Sequence, residues 1–152
     1  MTIVSRTDQP AQRYRIIFGD TDAGGIVYHP RYLELAERGR NETMRQVGLD
    51  VGKLFADEGF GLALRSLEMK FLAPAKFDDL LVIRTSIGRL RSASATWTTL
   101  IQRGPTDICT VSAEVICMDR TRHVPAMFPP HVVTAFHKAI ALKTGAETEH
   151  MK

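Results

Sequence analysis

The chain has 152 residues, the size of one domain with enough length to bury a sizeable core. Apolar residues make up 44% and charged residues 24%, which excludes disordered and fibrous classes of protein. Lys and Arg outnumber Asp and Glu by 20 to 17, a formal net charge of +3, and the basic residues are spread along the chain. This balance gives no reason to expect a nucleic-acid partner, although it suits a small polyanion such as a phosphorylated cofactor.

The sequence also bears on compartment and on metal binding. Its apolar runs are short beside the roughly 18 residues that a membrane span needs, so we expect no span. Residues 1–15 carry charges and no apolar stretch typical of a secretory signal, which predicts a cytoplasmic protein. Cys109 and Cys117 lie in one predicted strand, about 26 Å apart at ~3.3 Å per residue, so they cannot bridge within it. No CxxC or paired-His spacing is present, and we predict no metal site.

The first half of the chain predicts one strand and one long helix. The β-rich run from Tyr14 to Phe18 is the first predicted strand. Two carboxylates and three glycines then predict a shaped loop over residues 19–25. Pro30 suits the first turn of a helix that continues through Val47. Gly39 inside this helix costs ~1 kcal/mol relative to Ala, which predicts either a close packing contact or a weak point.

Beyond Phe60 the apolar period changes from helical to alternating, which predicts half-buried antiparallel strands. Turns are predicted at residues 73–79, 88–92 and 104–107. The alternating residues are Leu67, Met69 and Phe71; Leu81, Ile83 and Ile87; and Cys109, Val111, Ala113, Val115 and Cys117. A short helical turn is predicted over residues 51–58, and after Pro129 an amphipathic helix with the apolar stripe Val133, Phe136, Ala139 and Ile140.

This order predicts an α+β hotdog fold: a five-stranded antiparallel sheet wrapped around one long central helix, plus a C-terminal helix. A ferredoxin-like α+β sandwich is the alternative, but it would want a second long helix in mid-chain, and none is visible. We predict a loose N-terminal segment over residues 1–12, a single domain over 13–143 and a loose tail over 144–152.

The most specific motif is DTDAGGIVYHP over residues 20–30, followed by RYLELAER at the predicted helix start. It resembles the 4-hydroxybenzoyl-CoA thioesterase branch of the hotdog superfamily. The resemblance is closest to the Tol-Pal-associated acyl-CoA thioesterases, whose signature of two Asp, a Gly pair and Val-Tyr-His it repeats. Weaker similarity extends over residues 14–124. At Phe18 the chain departs from the many Tol-Pal-branch members that carry Tyr there.

The resemblance implies hydrolysis of an acyl-CoA thioester, with CoA as part of the substrate and no separate cofactor. It implies that Asp22 is the catalytic carboxylate, whereas Asp20 has the structural task of satisfying N–H groups of the loop. A carboxylate can attack a thioester carbonyl as nucleophile or activate a water as general base, and both routes stay open. The backbone N–H of His29 is implied to polarise the carbonyl, and its imidazole to orient water or act as base.

The resemblance also predicts substrate contacts. Gly25 and Tyr28 belong to the motif, although Tyr28 also suits a packing role. Arg89, Arg91 and Ser94 lie where the family places nucleotide contacts at a strand end, although solvated arginines at a hairpin tip would look the same. We expect residues 60–64 and the central helix to line the acyl pocket across a dimer. Aromatic, short aliphatic and long-chain acyl groups all stay open.

Because hotdog sites generally form where two subunits meet, we expect a homodimer or a homotetramer. A function from a different class is a hotdog domain that binds acyl-CoA or an acyl-carrier protein without turnover. It predicts saturable binding with no thiol release. A hotdog dehydratase is the weakest reading, since no His is paired with Glu or Asp at the spacing those enzymes use.

Overall fold

Four long strands and two long helices make up most of the chain. The computed structural model describes residues 11–57 and 59–150, and only the backbone of residue 57 and residues 142–150. The strands are β1 (Ala11–Arg15), β2 (Phe60–Phe71), β3 (Leu80–Leu90), β4 (Ser94–Arg103), β5 (Thr106–Asp119) and β6 (Val124–Pro125). The helices are α1 (Pro30–Gln46), α2 (Val51–Asp57) and α3 (Pro130–His150), with a 3-10 turn over Phe18–Asp20.

Three boundaries differ from the predicted ones. β1 begins at Ala11 and ends at Arg15, because the N–H of Ile17 bonds Asp20 Oδ2 at 2.9 Å and the chain turns there. The backbone of α3 runs on to His150, past the residue at which a loose tail is predicted. β3 continues to Leu90 through the turn predicted at residue 88. The structure does not describe residues 1–10, 151 and 152 of the predicted loose ends, or residue 58 of the predicted helical turn. The predicted domain boundaries at residues 12 and 143 therefore stay predictions.

All strands pair antiparallel in the order β1-β3-β4-β5-β2, and β6 adds a short sixth strand beside β5. The predicted five-stranded sheet with a long helix and a C-terminal helix is therefore confirmed. Register shifts interrupt the ladders between Leu64 and Ser66, between Ile87 and Leu90 and between Ile101 and Gln102. Such bulges bend and twist a sheet locally, which helps it curl around a helix.

The core lies between the sheet and the two long helices. α1 turns one face to β3, β4 and β5 and buries Tyr32, Leu35, Ala36, Gly39 and Met44 at helical spacing. α3 covers a second cluster that includes Trp97 and Phe128. All four residues of the predicted stripe of α3 pack against this cluster, with Phe136 buried and the other three half-buried. The prediction did not include Val132 and Ala135, which are also buried there. α1 and α3 thus divide the inner face of the sheet between them.

Gly39 marks the closest approach of α1 to the sheet. A Cβ built on it would lie 2.2 Å from Thr85 Oγ1 and 3.2 Å from Ile83 Cγ2, both on β3. Heavy atoms cannot approach to 2.2 Å without displacement, so a side chain at this position would push α1 off β3. The glycine in mid-helix is therefore a packing contact, the first of the two predicted explanations.

We expect Gly39→Ala to lower the free energy of unfolding by up to about 2 kcal/mol, because overpacking of ~1–3 kcal/mol outweighs a gain in helix propensity of ~1 kcal/mol. Urea unfolding checks this. Gly52→Ala is the matched control, since a Cβ there meets nothing nearer than Asp50 Oδ1 at 3.6 Å and the change should stabilise α2. Thr85→Ala should relieve part of the Gly39→Ala defect in the double variant. Equal effects of the two Gly→Ala changes would contradict the packing explanation.

Candidate active site

The motif folds as a small loop between the 3-10 turn and α1. Thr21 pairs with Val27 across it, and the N–H of Asp22 donates to the carbonyl of Ile26 at 3.0 Å. The N–H of Gly25 donates to the carbonyl of Asp22 at 3.0 Å. Gly25 has a φ of +82°, in the left-handed region that L side chains rarely adopt. The Gly pair thus closes the loop and leaves Asp22 near its tip.

Asp20 fastens this loop to the rest of the molecule. Its carboxylate is 3% exposed and accepts hydrogen bonds from Tyr14 Oη at 3.2 Å and from the N–H of Ile17 at 2.9 Å. Arg31 Nε lies 3.6 Å from Oδ1 of the same carboxylate. The carbonyl of Asp20 also accepts the N–H of Tyr28 at 2.8 Å. The Asp20 carboxylate therefore satisfies one backbone N–H, that of Ile17 just before the 3-10 turn, and is not available to a substrate.

Asp22 differs from Asp20 in its exposure. It is exposed to solvent, and its Oδ1 accepts the N–H of Gly24 at 2.8 Å. A carboxylate has two oxygens and about four lone-pair sites, so this single bond orients the group without using it up. Asp22 thus presents an oriented carboxylate to a molecule that lies against the loop.

His29 occupies the position just before α1 and offers a free backbone donor. No hydrogen bond recorded within residues 11–57 and 59–150 uses its backbone N–H, whereas the next donors along the chain are occupied. Arg31 donates to the carbonyl of Tyr28 at 2.9 Å and Tyr32 to that of His29 at 3.3 Å. Since the N-terminal end of a helix favours negative charge, this N–H suits a developing oxyanion. The exposed imidazole lies 5.0 Å from the ring of Tyr28 and 6.3 Å from that of Phe71, centroid to centroid.

The predicted CoA contacts lie elsewhere in the chain. Arg89 and Arg91 are exposed beside the turn between β3 and β4, and Ser94 is only 8% exposed. The start of β3, at Leu80, lies next to the loop, because the carbonyl of Asp79 accepts the N–H of Ile16. The turn between β3 and β4 is therefore about 30 Å from the Asp22 loop, measured along β3 at ~3.3 Å per residue. A single chain therefore brings Asp22, Gly25, Tyr28 and His29 together in one loop. It does not bring the predicted CoA contacts to that loop.

A cavity of about 550 Å³ lies beside α1. The residues of α1 that line it are four and three positions apart and share one face. They are Leu33, Glu37, Arg40, Asn41 and Met44; the opposite wall includes Phe55, Gly61, Leu62, Leu64, Trp97, Val115, Met118 and Arg120. Gly61, Leu62 and Leu64 meet the central helix here within one chain, whereas the prediction placed that contact across a dimer and did not include Arg40 or Arg120. The spacing 33, 37, 40 and 44 was the signal that could have found Arg40.

Within residues 11–57 and 59–150, no helix combines the length and the apolar composition needed to cross a bilayer. Among the side chains that the structure describes, those of residues 11–56 and 59–141, no three or more His, Cys, Asp or Glu are arranged to bind a metal ion.

Comparison with known proteins identifies the family. Residues 16–136 match the model of the thioesterase-like superfamily. The chain is 32% identical over 123 residues to the acyl-CoA thioesterase YbgC of Haemophilus influenzae, an alignment that covers 81% of this chain and 90% of that protein. A probable thioesterase from Bartonella henselae superposes with a TM-score of 0.75 at 34% identity, covering 80% of this chain and 99% of that one. For the gentisyl-coenzyme A thioesterase BH1999 the TM-score is 0.76 at 26% identity, covering 84% and 99%. The loop, the sheet around α1 and these relatives agree, and the chain belongs to the thioesterase-like superfamily of hotdog proteins.

Proposed function

We propose that the protein hydrolyses acyl-CoA thioesters to the free acid and CoA at the loop before α1. The observation that carries this proposal is the pair of groups on that loop: the exposed carboxylate of Asp22 and the backbone N–H of His29, which has no hydrogen-bond partner among the described residues. Acyl transfer from a thioester needs both a nucleophile or base and a donor for the carbonyl oxygen. The names of the relatives support the same reaction class.

In the proposed reaction, the thioester carbonyl oxygen accepts the N–H of His29 as negative charge develops on it. An Asp22 oxygen bonds to the carbonyl carbon, and the carbon–sulfur bond breaks to give a mixed anhydride and the CoA thiolate. Water then hydrolyses the anhydride, which releases the acid and restores the carboxylate. In the alternative route, Asp22 takes a proton from the water that attacks directly. Neither route requires a metal ion or a redox cofactor.

We also propose that two copies pair through β2 to complete the substrate site. β2 spans twelve residues at the edge of the sheet, and long apolar edges favour pairing with another chain. The exposed large apolar residues of β2 and just after it are Leu64, Leu67, Phe71 and Leu72. A two-fold axis beside β2 would reverse the partner's strands and bring its β3–β4 turn to the end of the joined sheet where the Asp22 loop lies. The partner's arginines could then reach CoA, which those of the same chain cannot.

We expect Leu67→Asp to weaken this dimer by about a hundredfold or more, because a charge would enter an apolar contact. Sedimentation equilibrium over a range of concentrations measures the effect. Thr98→Asp is the matched control, since Thr98 is exposed on β4, an inner strand of the sheet. An unchanged dimer with Leu67→Asp would contradict pairing through β2. The same experiment distinguishes a dimer from the predicted tetramer.

The reaction is tested by free-thiol release from benzoyl-, short-chain and long-chain acyl-CoAs. Release from at least one substrate is the expected result. Saturable acyl-CoA binding without release would replace the proposal by the non-catalytic acyl-CoA or acyl-carrier-protein binder.

A cytoplasmic location stays part of the proposal, and the two cysteines support it. Cys109 and Cys117 are both buried and unpaired in β5. Burial raises the pKa of the Cys109 thiol to about 11, which keeps it protonated and unreactive at neutral pH. Unpaired buried thiols are typical of proteins in a reducing compartment.

A further inference from the structure

Arg40 is the unusual residue of the cavity beside α1. Its Nη1 is buried, and no hydrogen-bond acceptor lies within reach of it among the described residues. Buried donors are nearly always paired, and a guanidinium N–H without an acceptor is costly. Burial lowers the pKa of Arg40, and the charge of Glu37 partly opposes this shift. Arg40 lines the cavity, and an acceptor that reaches its guanidinium group there would gain a charge-assisted hydrogen bond.

The other groups of the cavity favour an anion in this position. Glu37 also lines the cavity but is exposed to solvent, and Asn41 is neutral. Arg120 brings a second positive charge, although its Nη1 already donates to the carbonyl of Phe55. The two arginines and one glutamate give a formal charge of +1. The remaining wall is largely apolar, including Leu33, Met44, Leu62, Leu64 and Trp97, which suits a hydrocarbon chain leading to a charged end.

The distance along α1 from His29 to Arg40 sets the length of the acyl chain that could span the cavity. Leu33 lies one helical turn after His29, so the cavity begins about 6 Å from the free N–H at 1.5 Å per residue. Arg40 lies about 16 Å along the axis from His29. Long side chains on helices generally lean back toward the helix N-terminus, an orientation that would shorten the distance to be spanned.

Resting on the proposed thioesterase function, we propose that the cavity binds the acyl group and that Arg40 selects acyl chains with a carboxylate at the far end. The preferred substrates are then CoA monothioesters of medium-chain dicarboxylic acids. Arg40 acts as a specificity-determining residue, because it touches the distal end of the substrate and takes no part in the reaction at the carbonyl.

The test compares matched substrates that differ only at the far end: octanoyl- with octanedioyl-CoA, decanoyl- with decanedioyl-CoA and dodecanoyl- with dodecanedioyl-CoA. We expect the intact protein to prefer the carboxylate-ended member of at least one pair in kcat/KM. Arg40→Met should reduce this preference for the carboxylate-ended member by about ten- to a hundredfold. Arg38→Met is the matched control, since it removes an exposed arginine from another face of α1. This variant should leave kcat/KM unchanged for both substrates of each pair.

Thioether analogues of the same substrates separate this proposal from the proposed reaction, because they bind without turnover. A larger dissociation constant for the carboxylate-ended analogue with Arg40→Met than with the intact protein supports the site even if no thioester is hydrolysed. Equal preference in the intact protein and Arg40→Met would overturn it. A change of oligomeric mass in Arg40→Met, absent from Arg38→Met, would also overturn it, since the guanidinium would then hold two subunits together.

Discussion

Asp22→Asn is expected to reduce kcat/KM for thiol release by about 10²- to 10⁴-fold without changing the fold. An amide can neither form the mixed anhydride nor take a proton from water. It can still accept the N–H of Gly24 through Oδ1, the bond that orients residue 22 in the loop. Steady-state thiol release with the best substrate of the panel measures the loss. Circular dichroism and thermal unfolding should show a native protein.

Asp50→Asn is the matched control for this experiment. Asp50 is also exposed, and its Oδ1 accepts the N–H of Lys53 at 3.1 Å at the start of α2. Asn caps a helix about as well as Asp, so stability and activity should both stay near those of the unmodified protein. Full activity of a folded Asp22→Asn variant would remove Asp22 from the mechanism and with it the proposed chemistry of the loop.

Phe136→Ala is expected to lower the free energy of unfolding by about 3–5 kcal/mol. Phe136 is 1% exposed, and its ring lies 5.5 Å from that of Trp97 and 5.3 Å from that of Phe128, edge to face in both cases. Removing the ring leaves a cavity between α3 and the sheet, because neither neighbour can move in to fill it without giving up its own contacts. Trp97 is the only tryptophan of the chain, so its fluorescence reports urea unfolding at the site of the change.

Two further substitutions on α3 calibrate this effect. Phe136→Leu retains most of the apolar volume and should cost clearly less than the alanine change. His137→Ala, at an exposed neighbouring position, should change stability by no more than about 0.5 kcal/mol. A loss below about 1 kcal/mol for Phe136→Ala would show that α3 does not unfold together with the sheet.

The fold could be predicted where one face of an element is buried. β5 alternates from Cys109 to Cys117 because one helix-covered face collects its apolar residues. The same rule failed at β2, whose residues Leu67 and Phe71 alternate but are 38% and 56% exposed. Periodicity identifies the apolar face of a strand but not the element that covers it. The turn predicted at Gly88 was placed too early because a register shift carries β3 on to Leu90.

Only the site residues that belong to the sequence motif could be predicted. The loop around Asp22 stands out because glycines and carboxylates in that order are rare and resemble a known family. From the sequence, Gly39 could be either a packing contact or a weak point of the helix. Its contact with Thr85 decides for packing, and only the fold brings these two residues together. Arg40 shares the helical spacing of Leu33, Glu37 and Met44, but one arginine on a charged helix looks like any solvated residue. Arg40 becomes a candidate binding residue only because the fold places it opposite residues 55, 61, 62, 64, 97, 115, 118 and 120.

The contact between Gly39 and Thr85 has a consequence for how this protein can change over generations. Any larger residue at position 39 meets Thr85 Oγ1, so that substitution alone lowers stability. A smaller residue at position 85 would first have to make room, giving up the contact of Thr85 Oγ1 with Thr99 Oγ1 at 3.4 Å. The order of the two substitutions therefore decides whether the intermediate protein folds well. Helix α1 and strand β3 are thus expected to accumulate changes at these positions as a pair, with the strand leading.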